Sequence, residues 1–122
     1  MKITCGTDII EVERIKNAIE RTGEKFLETV FTKQEREYCE AKKTQKYQSY
    51  AARFAAKEAA FKALSESLQG GINWQNFEVV KLENGKPALK LHCEIENLEN
   101  IDISISHCKE YASANVVAQF CK

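Results

Sequence analysis

The chain carries no net charge, no apolar run long enough to cross a bilayer, and no pair of cysteines at metal-binding spacing. Each absence removes a class of protein. Lys and Arg total 18 against 18 Asp and Glu, so no global field draws the chain to nucleic acid or to a membrane surface, and a charged partner has to be recognised by a local patch. The opening stretch MKITCGTDII reaches Asp8 before any apolar run attains signal-peptide length, which is the pattern of a cytoplasmic protein. Cys5, Cys39, Cys93, Cys108 and Cys121 are odd in number, scattered, and never in C-x-x-C spacing. That pattern argues against a disulfide framework and a zinc site, and the thiols are expected to be reduced and mostly structural. No repeat, low-complexity tract or linker is visible.

What is present is a chain of 122 residues, 43% hydrophobic and 30% charged, which suits one domain, residues 1–122, with a real core. Lys2 to Ile10 alternates as a first strand, with Ile3, Cys5, Thr7 and Ile9 on one side and Thr4, Gly6, Asp8 and Ile10 on the other. Val12, Ile15 and Ile19 recur at helical spacing with Gly23 as a stop, which predicts a helix from Glu11 to Thr22. Thr32 and Glu35 have capping-box spacing and open a second helix to about Lys42. The third and longest helix is predicted from about Tyr47 to Leu68, ended by Gly70 and Gly71. Beyond it FEVVKLE, Asn84-Gly85 as a two-residue turn, and PALKLHC read as a hairpin, and IDISIS with YASANVVAQF as a second. One strand, three helices and four strands in that order make an α+β fold.

The stretch RFAAKEAAFKAL, Arg53 to Leu64, holds one carboxylate in a basic and apolar run. On a helical wheel Phe54, Phe61 and Leu64 mark the buried side, Glu58 falls beside Phe54, and Lys62 lies just beyond. A carboxylate there pairs with Lys62 at i, i+4, or it is held by another cation. Asp8 poses the same question, since it sits inside a strand of small and apolar residues, where it either caps the following helix or needs a partner. Together Asp8 and Glu58 are able to hold a hard cation such as Mg²⁺, which takes one or two carboxylates plus phosphates and water. Arg53, Lys57 and Lys62 would then neutralise phosphates. His107 at the mouth of the second hairpin is a loop residue by default, and the Asn84–Pro87 turn is explained by hairpin chemistry alone.

GTDIIEVERI, VFTKQEREYC, ARFAAKEAAFKAL, NGKP and SISHCKEYASANVV, in this order and at these spacings, resemble the short bacterial holo-acyl-carrier-protein synthases, a class of 4'-phosphopantetheinyl transferases. The resemblance implies transfer of the 4'-phosphopantetheine arm from coenzyme A to a serine of apo acyl carrier protein in fatty acid biosynthesis, with adenosine 3',5'-bisphosphate leaving. It also implies a homotrimer with coenzyme A in the cleft between neighbouring subunits. Carried over by motif, Asp8 and Glu58 become the Mg²⁺ ligands and, with Lys62 facing the pyrophosphate, the catalytic set. Arg53, Asn84, Gly85, Lys86, Pro87 and His107 meet the nucleotide end of coenzyme A. Unlike the family pattern, KAL is followed here by SESLQGG rather than directly by glycine. The carrier protein is acidic, and Arg14, Ala18, Arg21 and Lys25 fall within about 40° on a wheel, so Arg14 and Arg21 are the expected docking residues. The rival readings are a coenzyme A-binding module without turnover and a purely structural oligomer; Asp8, Glu58 and Lys62, all present, count against the first.

Overall fold

The protein is described from a computed structural model that covers residues 1–68 and 73–122. Its elements are β1 (Lys2–Glu11), α1 (Val12–Thr22), α2 (Glu24–Val30), α3 (Lys33–Glu40), α4 (Lys46–Ala63), β2 (Phe77–Lys81), β3 (Pro87–Leu91), β4 (Leu98–His107) and β5 (Tyr111–Phe120). The order is α+β, with one more helix than the periodicity predicts. The addition is α2, entered through Gly23 at φ 61°. It is only seven residues long, and so short a segment leaves little helical periodicity to detect.

β1, β5 and β4 form an antiparallel sheet in that order, while β2 and β3 form a separate hairpin. The register sets Gly6 opposite Val116 and Asp8 opposite Ala114. The predicted alternation of β1 holds: Ile3, Cys5, Thr7 and Ile9 are exposed, and Gly6 is buried against α4. Asn84 and Gly85 close the β2–β3 hairpin, with Gly85 at φ 89° and the Lys86 N–H donating to Asn84 Oδ1 at 3.0 Å.

Helix α4 is packed against the sheet on one side and against α1 and α3 on the other. Its buried surface therefore extends well beyond the predicted stripe. Ala55, Ala56, Ala59 and Ala60 have no exposure, and Leu64 is buried as expected, but Phe54 and Phe61 are only half-buried. Alanine does little to mark an apolar face in the sequence, yet it is what lets a backbone approach closely. A Cβ on Gly6 would press into the Ala59 carbonyl and come within 2.8 Å of the Ala63 nitrogen, so β1 lies directly on the helix. α4 ends at Ala63, earlier than predicted, and Leu64 serves as its C-cap; the predicted stop at Gly70 and Gly71 lies outside the described residues.

The capping box is present: Thr32 Oγ1 accepts from the Glu35 N–H at 3.2 Å, and Glu35 Oε1 accepts from the Thr32 N–H at 2.9 Å. Glu35 does more than cap. It is buried 2.6 Å from the Lys57 ammonium, and its other oxygen accepts from the Val79 N–H at 2.7 Å. Lys57, fully buried, also donates to the Val30 and Trp74 carbonyls at 2.6 and 3.3 Å. This corrects the expectation that Lys57 neutralises phosphates: with every donor directed inward, it ties α4 to the α2–α3 junction and to the turn before β2. The cysteine expectation also needs correction. All five are free, but Cys5, Cys108 and Cys121 are exposed, and only Cys39 is fully in the core. Among the described residues no helix is long and apolar enough to cross a membrane.

Candidate active site

The close approach at Gly6 carries Asp8, two residues on along the same face of β1, to the side of α4 that bears Glu58 and Lys62. The Lys62 ammonium donates to Asp8 Oδ1 at 3.2 Å and to the Thr7 carbonyl at 2.8 Å. Two alternatives left open by the sequence are thereby decided. Lys62 pairs with Asp8 across 54 positions rather than with Glu58 one turn away. Asp8 is not the helix cap, because that position belongs to Glu11, whose side chain makes no capping bond.

Glu58 has no ion-pair partner among the described residues. Burial raises its carboxyl above the ordinary value, the nearby Asp8 charge raises it further, and Lys62 offsets part of this. Two carboxylates near enough to repel, with one ammonium paired to Asp8 alone, leave negative charge that would favour an added cation. Among the described residues no group of three or more His, Cys, Asp or Glu side chains gathers, so a cation at this place would have two protein carboxylates and take its remaining ligands from substrate and water. That donor set is all oxygen, which suits Mg²⁺.

A second feature is a cleft of about 260 Å³ whose lining includes Tyr38, Lys42, Arg53, Lys81, Gly85, Pro87 and His107. The Arg53 guanidinium lies 4.0 Å from the centre of the Tyr38 ring, with the Lys42 and Lys81 ammonium groups at 4.8 and 5.9 Å. Burial would raise the Tyr38 hydroxyl, but hydrogen bonding to Lys42 and the charges of Arg53, Lys42 and Lys81 outweigh it and set the phenol below its ordinary value. Arg53 is only 8% exposed, and its Nε has no hydrogen-bond partner among the described residues. A buried donor left unpaired costs about 1–3 kcal/mol, and the cleft beside it gathers the three cations Lys42, Arg53 and Lys81, a charge that would favour an anionic ligand.

The predicted residues divide between these features. Asp8, Glu58 and Lys62 come together; Arg53, Gly85, Pro87 and His107 line the cleft. Asn84 supports its own turn, and Lys86 leaves the cleft to pair with Asp102 at 2.6 Å. Arg14 and Arg21 are exposed on α1, whose Val12, Ile15 and Ile19 are buried. Sequence reasoning missed Tyr38, Lys42 and Lys81, each an ordinary surface residue by local pattern. None of Asp8, Glu58 and Lys62 lines the cleft; Arg53 and Glu58 are five positions apart on α4, about 140° around the helix.

The chain belongs to the 4'-phosphopantetheinyl transferase superfamily, whose pattern it matches over residues 4–121. Within that class it is 47% identical to the holo-[acyl-carrier-protein] synthase of Ruminiclostridium cellulolyticum, with 96% of this chain and 92% of that one covered. The crystal structure of a holo-(acyl-carrier-protein) synthase from Bacillus anthracis, in complex with CoA (3',5'-ADP), superposes with a TM-score of 0.79 at 34% identity over 94% of each chain. The Helicobacter pylori holo-[acyl-carrier-protein] synthase in complex with coenzyme A gives 0.83 at 30% identity, covering 94% of this chain and 99% of that one.

Proposed function

We propose that this chain transfers the 4'-phosphopantetheine arm of coenzyme A to a serine of apo acyl carrier protein, yielding the holo carrier for fatty acid biosynthesis and adenosine 3',5'-bisphosphate. The observation that carries this is the Asp8–Glu58 pair beside Lys62 in a chain similar to synthases of that name. Asp8 and Glu58 would hold Mg²⁺, which when bound supplies charge neutralisation at the pyrophosphate. Lys62, exposed on its long stem, reaches the phosphates, and a serine hydroxyl that attacks there needs a nearby acceptor for its proton. The cleft takes the nucleotide end: Arg53, Lys42 and Lys81 offer charge to phosphate, and Gly85, Pro87 and His107 close the wall.

The carboxylates and the cleft lie on different sides of α4, which supports a site completed by a neighbouring copy. In this reading the chain is a homotrimer, with each site drawing its two halves from neighbouring copies. The sheet face opposite α4 supports self-association, because Ile3, Ile9 and Val117 are 62%, 68% and 48% exposed on it. Arg14 and Arg21 on α1 are the surface offered to the acidic carrier.

The test is the mass of apo carrier protein after incubation with coenzyme A and Mg²⁺. A gain of one phosphopantetheine with the native chain, none with Asp8→Asn or Glu58→Gln, and unchanged melting of both variants are expected. No gain with the native chain, or near-native turnover in either variant, rejects the reading. Mixing Asp8→Asn with Arg53→Ala should restore activity through mixed assemblies, and light scattering should give three copies; an active monomer rules out the shared site.

A further inference from the structure

Lys62 is the one cationic partner of Asp8 among the described residues, and Asp8 is also the carboxylate assigned above to the divalent cation. The two ends of this ion pair are held very differently. Asp8 has a side-chain exposure of 17% and is fixed within β1, which Gly6 seats on α4. Lys62 has a side-chain exposure of 54%, on a stem of four methylenes, and its ammonium is shared between Asp8 Oδ1 and the Thr7 carbonyl. A hard cation binds carboxylate oxygens at about 2.0–2.1 Å, and an ammonium hydrogen-bonded to the same carboxylate would repel it at close range. Of the three, only the ammonium can move away at little cost.

We propose that Lys62 and the divalent cation compete for Asp8. Lys62 orients the carboxylate through its two contacts on β1, yields it when the cation arrives, and only then has its ammonium available to the phosphates. The charge of Asp8 and Glu58 is thus only partly offset by a single ammonium before the exchange and is matched by the divalent cation after it. Cation and coenzyme A are coupled through one side chain, because a pyrophosphate that draws Lys62 away also frees Asp8. This inference rests on the two-carboxylate reading of the preceding section.

The test measures free Mn²⁺ by electron paramagnetic resonance during titration of the protein, with coenzyme A withheld. Lys62→Met is expected to bind Mn²⁺ about fivefold more tightly than the native chain, the scale of one partly exposed ion pair, while losing transfer activity. Lys62→Gln should behave alike if Lys62→Met folds poorly. Lys62→Arg keeps the charge and should stay near the native affinity. Lys2→Met, which removes another exposed lysine paired with Glu66, should leave affinity unchanged and so control for net charge. Adding Asp8→Asn to Lys62→Met should abolish the gain. Unchanged or weaker Mn²⁺ affinity in Lys62→Met, with measurable binding in the native chain, overturns the competition alone. Absence of Mn²⁺ binding in both, while carrier protein is still modified, overturns the competition and the two-carboxylate reading together.

Discussion

Lys57→Met removes a buried ammonium that has three oxygen neighbours: Glu35 Oε1, the Val30 carbonyl and the Trp74 carbonyl. Breaking a buried ion pair from one side costs about 3–5 kcal/mol, since the remaining charge loses its compensation. The lower end applies here, because Glu35 keeps the Thr32 and Val79 N–H donors. With an unfolding entropy of about 2.1 cal/mol/K per residue, 122 residues give about 0.26 kcal/mol/K, and a loss of about 3 kcal/mol lowers Tm by about 12 °C. Circular dichroism melts at one fixed protein concentration measure this, since self-association would make Tm depend on concentration. Glu35→Gln should also destabilise, by leaving the ammonium unpaired, and Lys57→Met with Glu35→Gln should cost less than the sum of the two. Below the melting range Lys57→Met should keep the native KM for coenzyme A, as its donors point into the core. A Tm loss under about 4 °C, or a normal melt with a raised KM, refutes the buried-clamp account and returns Lys57 to the phosphates.

Gly6→Ala forces β1 off α4, because the new methyl meets the Ala59 carbonyl and the Ala63 nitrogen; transfer activity should fall by at least about tenfold, and native kinetics would show that the close approach is dispensable. Arg14→Glu with Arg21→Glu should raise KM for carrier protein at low salt and weaken its salt dependence without altering KM for coenzyme A; an unchanged carrier KM places docking elsewhere. Glu78 is buried; burial acts to raise its carboxyl, but hydrogen bonds from Thr32 and His92, with the His92 charge, hold it below the ordinary value. A carboxyl depressed in the folded state contributes stability that is present above its unfolded value and lost as pH falls through its folded one. His92→Phe should therefore melt earlier than the native chain by about 0.5–1 kcal/mol near pH 5, and the gap should close on further acidification; parallel melting curves from pH 7 to pH 3 would contradict this.

Much of the local structure was legible because local rules govern it. The alternation of Ile3 to Ile10 and the Thr32–Glu35 box depend on residues within a few positions and formed as read, while Asn84-Gly85 marks the hairpin correctly but within a longer turn from Leu82 to Lys86 rather than a two-residue one. Asp8, Glu58 and Lys62, singled out through motif resemblance and the oddity of carboxylates on apolar elements, do come together where β1 meets α4. Helix count and helix ends were less legible: α2 is too short to show a period, and α4 stops at Ala63, capped by Leu64 rather than by a glycine.

Which charge meets which was decided only by the tertiary structure. By spacing, Lys62 belongs to Glu58, and Lys57 looks like one more exposed base. Instead Lys62 reaches back 54 positions to Asp8, and Lys57 is sealed against Glu35. The cleft likewise gathers Tyr38, Arg53 and Lys81 from three elements with no sequence relation among them. Periodicity along a chain reports which side of an element is apolar, and so anticipates what lies inside. An ion pair depends on how closely two elements approach, and here that distance is set by a methyl group absent at Gly6 and by the small side chains of Ala59 and Ala63, which carry almost no signal until the strand is laid on the helix.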